Sequence, residues 1–254
     1  MFDNPKGVDS LGAVKASMTK VESGIATRQR LLEAAQELFA LHGFDKVAVR
    51  EVTEKAGANV AAVNYHFGSR EGLVEKVIER YLTPINEERL ARLERCEKAA
   101  PGKVVALEEL LDAFVRPFVT QLRRSELSER LCLRLIGRLL GDQAKLPVAS
   151  EIQFQMVMNR FKQAFERALP GVTEEDLIWR CHFMAGGMIH AMSNAEILQR
   201  MTQGRAGDPS MELTLSRFVR FAAAGLRQAS GNPTDPGSEK AGENEEVPQG
   251  EFLF

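Results

Sequence analysis

Residues 56–70, AGANVAAVNYHFGSR, bring together side chains whose types and spacing suit contact with a nucleic-acid duplex. On a helix turning about 100° per residue, Val60, Val63 and Phe67 share one face and are expected to pack inward. The opposite face carries Ala61, Ala62 and Tyr65, flanked by Asn64 and His66. Small residues let a helix backbone approach base edges, and their methyl groups meet thymine methyls. Tyr65 and His66 can donate or accept at phosphates and bases. Asn64 offers the amide that pairs with adenine, although its place beside the inward face suits a boundary residue equally well. Beyond Gly68, Ser69 can cap a following helix whose N-terminal dipole favours a phosphate, with Arg70 adding a full charge.

These residues need short helices meeting at a steep angle. Gly57 supplies the left-handed backbone for the turn, and Asn59 is an N-cap for the next helix. Upstream, residues 27–42 place Leu31, Leu32, Ala35, Leu38 and Phe39 at three- and four-residue intervals before Gly43 ends the run. Residues 49–56 repeat the pattern with Val49, Val52 and Ala56. Three short amphipathic helices sharing one small core form a helix-turn-helix unit, with the helix over 60–67 presented to the major groove.

The words LLEAAQELFALHGFDKVAVREVTEKAG and VNYHFGSREGLVEKV, at this separation, resemble the N-terminal DNA-binding domain of the TetR family of bacterial transcription regulators. The resemblance implies groove and phosphate contacts at Arg50, Asn59, Ala61, Ala62, Asn64, Tyr65, His66 and Arg70. The sequence departs from the family pattern at Val47 and Ala48, which leave the second helix without a side-chain cap, and at Asn64, where tyrosine is common. It implies an all-α protein: an N-terminal three-helix helix-turn-helix domain followed by a larger helical ligand-binding and dimerisation domain. The expected divisions are a disordered arm over 1–24, the DNA-binding domain over 25–70, the effector and dimerisation domain over 71–228, and a disordered acidic tail over 229–254.

Composition accommodates this without requiring it. The chain has 254 residues and a formal net charge of −2, and across 25–80 the lysines and arginines are matched one for one by carboxylates. Affinity for DNA therefore has to come from placed cations, helix N-termini and doubling in a dimer. Cys96, Cys132 and Cys181 lie far apart in helical patterns, which suggests neither a disulfide framework nor a zinc site and fits reduced thiols in a cytoplasmic protein. There is no signal-like N-terminus and no run near the roughly 18 apolar residues of a membrane span. No cofactor is expected. In the tail, Asp235, Glu239, Glu243, Glu245, Glu246 and Glu251 face only Lys240.

Between the ends the chain reads as helical throughout. A helix over 71–82 is expected to be interrupted at Thr83-Pro84 and to resume to about residue 98, because proline lacks a donor and clashes with the preceding turn. Further helices are expected near 103–124 with a kink at Pro117, then 126–141, 149–168, 173–203 and 210–228. Phe154, Val157, Met158, Phe161 and Phe165 form one apolar stripe, and Trp179, Phe183, Met184 and Met188 another. Such stripes are either plain core or the wall of an adaptable pocket. Phe114, Phe118, Phe154, Met158, Phe161 and Phe183 are the candidate apolar ligand contacts. Arg130, Arg134 and Arg138 wind along one side of their helix, either as a solvated face or as cations that meet a ligand carboxylate or lock against the DNA-binding unit; Arg134 and Arg138 are the candidates.

RLCLRLIGRLL and DLIWRCHFMAGGMIHAMSNAEILQRM look like the fatty-acid-responsive branch of the family, repressors of fatty-acid degradation. That resemblance implies a small apolar effector, a fatty acid or acyl-CoA. The stretches 185–187 and 222–225, rich in Ala and Gly, offer close-packing surfaces for a homodimer whose paired domains read inverted repeats in double-stranded DNA. Two other readings stand beside this one. The second domain could recruit a protein partner, or His182, His190 and Cys181 could belong to a metal-dependent helical enzyme, though two histidines eight apart make a poor ligand set.

Overall fold

Helix-forming periodicity extends over nearly the whole chain, and the computed structural model, which describes residues 9–141, 147–207 and 210–228, is helical accordingly. Among the described residues there is no strand. The elements are α1 (Asp9–His42), α2 (Val49–Ala56), α3 (Val60–Phe67), α4 (Arg70–Ala99), α5 (Leu107–Arg124), α6 (Glu129–Gly141), α7 (Val148–Ala168), α8 (Glu174–Met201) and α9 (Met211–Arg227).

The first helix departs from expectation. It begins at Asp9, so most of the segment 1–24 expected to be disordered is helical; residues 1–8 lie outside the described residues. Glycine and serine in this stretch hide a helical stripe, Val14, Met18, Val21 and Ile25, at spacings of three and four. Residues 229–254, where an acidic tail was expected, also lie outside the described residues.

The three N-terminal helices close around Leu31, Ala35, Phe39, Val52, Ala56 and Val63, all buried. The Phe39 and Phe44 rings meet at 5.1 Å. This core is completed by Leu73, Val77 and Ile78 from the first half of α4, so the packing of the DNA-binding unit runs past residue 70. Two polar clamps fix the arrangement. Tyr81 donates to Gln36 Oε1 at 2.9 Å, joining α4 to α1, and Arg30 Nε donates to the Ala56 carbonyl at 3.1 Å, capping the end of α2.

The interruption expected at Pro84 does not occur; α4 runs unbroken from Arg70 to Ala99. An interior proline costs about 3 kcal/mol, whereas burying each of the neighbours Leu82 and Ile85 returns about 1.5–3 kcal/mol. Burial on both sides therefore outweighs the break. The Arg80 carbonyl, deprived of its donor by Pro84, accepts instead from Gln121 Nε2 of α5 at 3.5 Å. The other helices end within a few residues of their expected bounds, and Pro117 lies inside α5.

α5 is buried along almost its full length between α4, α7 and α9. Glu212 of α9 accepts from Arg116 at 2.9 Å and Arg123 at 2.7 Å, and Glu108 at the other end of α5 pairs with Arg227. α6 lies against the end of α1. Arg138 donates from Nε to the Ala40 carbonyl and from Nη2 to that of Leu41, both at 3.1 Å, caps two free carbonyls there, and so ties the second domain to the first.

Candidate nucleic-acid interface and apolar cavity

The turn between α2 and α3 is built as its residues dictate. Gly57 sits at φ 59°, ψ 42°, a left-handed position suited to glycine, and the Ala58 amide donates to the Thr53 carbonyl at 2.9 Å. Asn59 Oδ1 accepts from the Ala62 amide at 2.9 Å, so the N-cap forms. Ahead of α2 the missing cap is half replaced: Ala48 has no acceptor, but Glu51 reaches back to accept from its amide at 2.7 Å. After α3, Ser69 Oγ accepts from the Gly72 amide at 3.1 Å.

Val63 is fully buried and anchors α3. Tyr65 is 84% exposed, with Ala61 and Asn64 exposed beside it, and Ala62 is half-buried against the core. His66 is half-buried, its ring 4.9 Å from that of Tyr65 and its Cε1 turned toward Gly24 of α1, so it braces the helix as well as edging its outer face. Arg50 extends from α2, largely exposed and paired with its neighbour Glu54 at 2.9 Å, a surface contact that it can exchange for a phosphate.

Two expectations about this surface are corrected. Val60, expected inward, is 48% exposed, because the first residue of an eight-residue helix precedes the turn that meets the core. It enlarges the aliphatic patch around Ala61. Arg70, expected at a phosphate, donates instead to the carbonyls of Val47, at 3.2 Å, and Phe44. It braces the loop between α1 and α2.

In the second domain a cavity of about 260 Å³ opens between α4, α5, α7 and α8. Of the expected ligand contacts, Phe114, Phe118, Phe154, Met158 and Phe161 line it. The Phe114 and Phe161 rings stand edge-on at 5.1 Å. Phe183, Arg134 and Arg138 do not belong to it. Phe183 faces outward against Trp179 at 5.8 Å, Arg134 is exposed, and Arg138 is engaged with α1. Helical spacing placed Phe183 on the apolar stripe, but that stripe wraps wider than the cavity.

The cavity also receives Arg89, which sequence reasoning missed. This guanidinium is 2% exposed, lies over the Phe114 ring at 4.0 Å and the Phe118 ring at 4.6 Å, and donates to the Phe114 carbonyl at 2.9 Å and Asn86 Oδ1 at 3.2 Å. No described carboxylate pairs with it. A buried unpaired charge costs several kcal/mol, which two cation–π contacts at about 2 kcal/mol each offset in part. Burial pushes the Arg89 pKa down to about 9, which leaves it charged at neutral pH. In EERLARLER it reads as one more solvent-facing charge. The signal that could have found it is its place four after Ile85 and four before Leu93, on the buried face.

Cys181 lines the cavity, and burial raises its thiol to about 11; Cys132, fully buried, is raised to about 11 for the same reason. The thiolate is the reactive form, so the native alkylation rate of the partly accessible Cys181 should keep climbing with pH beyond 9 toward 11. Peptide mapping after iodoacetamide pulses would show this; a plateau near pH 9 would contradict it. His182 is exposed beside Trp179, and His190 Nδ1 contacts Asn194, so neither joins Cys181 at the cavity. Among the described residues no group of three or more His, Cys, Asp or Glu is placed to hold a metal ion, and no helix is long and apolar enough to cross a membrane.

A capped reading helix set on a three-helix core and locked to an all-helical domain with an internal cavity defines a two-domain helix-turn-helix protein. The chain belongs to the tetR family of bacterial regulatory proteins. The family model of that description matches residues 31–77, the model of the tetracyclin repressor-like C-terminal domain matches residues 112–225, and together they span well over half of the chain. The probable HTH-type transcriptional regulator YttP of Bacillus subtilis is 33% identical over 57 residues, 22% of this chain and 28% of that protein. The HTH-type transcriptional repressor NicS of Pseudomonas putida is 33% identical over 114 residues, 42% of this chain and 52% of that protein. The chain thus spans between about a quarter and a half of the curated relatives it matches. A solved structure from Shewanella sp. PV-4, described as a tetR family transcription regulator, aligns with a TM-score of 0.51 at 15% identity, covering 78% of this chain and 96% of that one, a likeness of fold.

Proposed function

We propose that the chain is a homodimeric, cytoplasmic transcriptional repressor that holds inverted half-sites in duplex DNA through α3 and releases them when a small apolar effector enters the cavity. The observation that carries this reading is the outer face of α3, where Tyr65, Asn64, Ala61 and Val60 stand exposed on a helix capped at Asn59 and anchored by Val63. An exposed tyrosine among small aliphatic groups is poorly explained by solvation and well explained by a major groove.

A second copy suits the uncovered face of α8 and α9. Trp179, Phe183, Gly186, His190, Ile197 and Met201 recur at mostly three- and four-residue spacing along α8, with Phe221 exposed on α9. Ala224 and Gly225 are exposed there too, whereas Ala222 and Ala223, expected at the same surface, are buried within the domain. Twofold pairing sets two reading helices about one turn of duplex apart. An effector that fits a tilted α4 better than the resting one shifts the population away from that spacing. The apolar lining is the reason for favouring fatty-acid or acyl-CoA chemistry.

Selection from a random duplex pool, followed by gel shift at low and physiological salt, is expected to recover an inverted repeat, with the complex released by a small apolar compound such as octanoate. Failure to retain any duplex at low salt overturns the reading.

A further inference from the structure

We propose that the cavity is a site for a free apolar monocarboxylic acid, bound with its carboxylate inward on Arg89 and its tail along the phenylalanines of α5 and α7. The inference rests on the effector reading above and deepens it by naming the chemical class and the polarity of binding.

Among the described residues lining the cavity, the cations are Arg89 and Lys162. Lys162 already holds Glu166 at 2.9 Å and Glu174 at 2.7 Å. Arg89 holds no carboxylate, and its Nη2 donates to no described residue, although the side chain is all but excluded from solvent. Beside it, Asn86 is fully buried, and its Nδ2 is a donor without an acceptor. The unused donors of the guanidinium, which unlike Asn86 lines the cavity, suit a planar anion with two oxygens. The rest of the lining is apolar but for Asn159 and Lys162, so that anion must carry a hydrocarbon body.

The size of the site separates the free acid from its thioester. At about 260 Å³ the cavity lies near the small end of ligand pockets, which run from about 300 to 1,000 Å³. A coenzyme A headgroup does not fit beside Arg89. An acyl-CoA would have to send its uncharged tail toward the guanidinium and leave the buried charge unmet.

The full-length protein would be titrated calorimetrically with hexanoate, octanoate, decanoate, octanol and octanoyl-coenzyme A. Octanoate is expected to bind at least tenfold more tightly than octanol and than the thioester. Arg89→Met is expected to bring octanoate down to the level of octanol, and Arg89→Lys to restore part of the difference. If Arg89→Met does not fold, the octanoate-to-octanol ratio on the unaltered protein decides alone. Equal affinity for acid and alcohol, tighter binding of the thioester, or no binding of any of the three acids overturns the proposal. Operator release, measured separately, tells the two readings apart. Octanoate that binds without releasing DNA sinks the effector reading and leaves the site standing; release by a neutral compound with no acid binding does the reverse.

Discussion

Gly72→Ala is expected to remove about 3 kcal/mol of stability, on the scale of overpacking a closed core, and with it the affinity for DNA. A Cβ at this position would stand 2.0 Å from the Phe67 carbonyl oxygen and 3.1 Å from its carbon. Real Cβ atoms do not approach backbone so closely, and neither partner can yield cheaply. Phe67 ends α3 just before Gly68, which sits at φ 77°, and Ser69 caps α4 through the Gly72 amide itself. Relief requires the first turn of α4 to move away from α3, which spoils that cap and the seating of the reading helix. Thermal unfolding should fall by about 10 °C, given the ~2–4 °C per kcal/mol usual for chains of this size. Gly171→Ala is the control, since no atom lies within 4 Å of a Cβ added there. An unchanged midpoint with unchanged operator binding for Gly72→Ala would show that the two helices are not in contact as described.

The second large effect is electrostatic. Ala61→Glu should leave folding untouched, because the side chain is exposed, yet weaken operator binding at least a hundredfold. A carboxylate on the outer face of α3 meets the phosphate and base-edge oxygens of the groove, and like charges brought together at an interface cost several kcal/mol. Ala61→Lys, of similar reach and opposite sign, should retain DNA at low salt while losing preference among sequences. Fluorescence anisotropy with a selected operator and a scrambled duplex measures both. Equal affinity of Ala61→Glu and the unaltered chain for the operator would remove α3 from the interface.

The amphipathic spacing of Leu31, Ala35 and Phe39, the turn at Gly57 and the caps at Asn59 and Ser69 were all legible in the sequence, because each depends on a local rule of spacing or backbone geometry. The second domain's helices were legible for the same reason. What escaped was decided by partners distant in sequence. Pro84 is carried through α4 because burial on both sides outweighs the lost rung, and Gln121, thirty-seven residues away, takes up the orphaned carbonyl. Arg70 finds carbonyls at Phe44 and Val47 that no wheel of its own helix displays. Arg89 lay hidden among flanking charges. Long flexible side chains choose between solvent, backbone and ligand according to what the fold brings near, and their own neighbourhood in sequence says little about that.

Leu73, Val77 and Ile78 in the first half of α4 and Ile85 and Leu93 further along belong to one continuous apolar core, so α4 joins the DNA-binding helices to the rest of the chain with no linker between. Grafting the reading head of this protein onto another sensor therefore needs a seam inside α4. A chimera spliced at residue 70 would strip the head of its floor, whereas one spliced at Pro84, where the backbone ladder already lacks a rung, would keep Leu73, Val77 and Ile78 with the head.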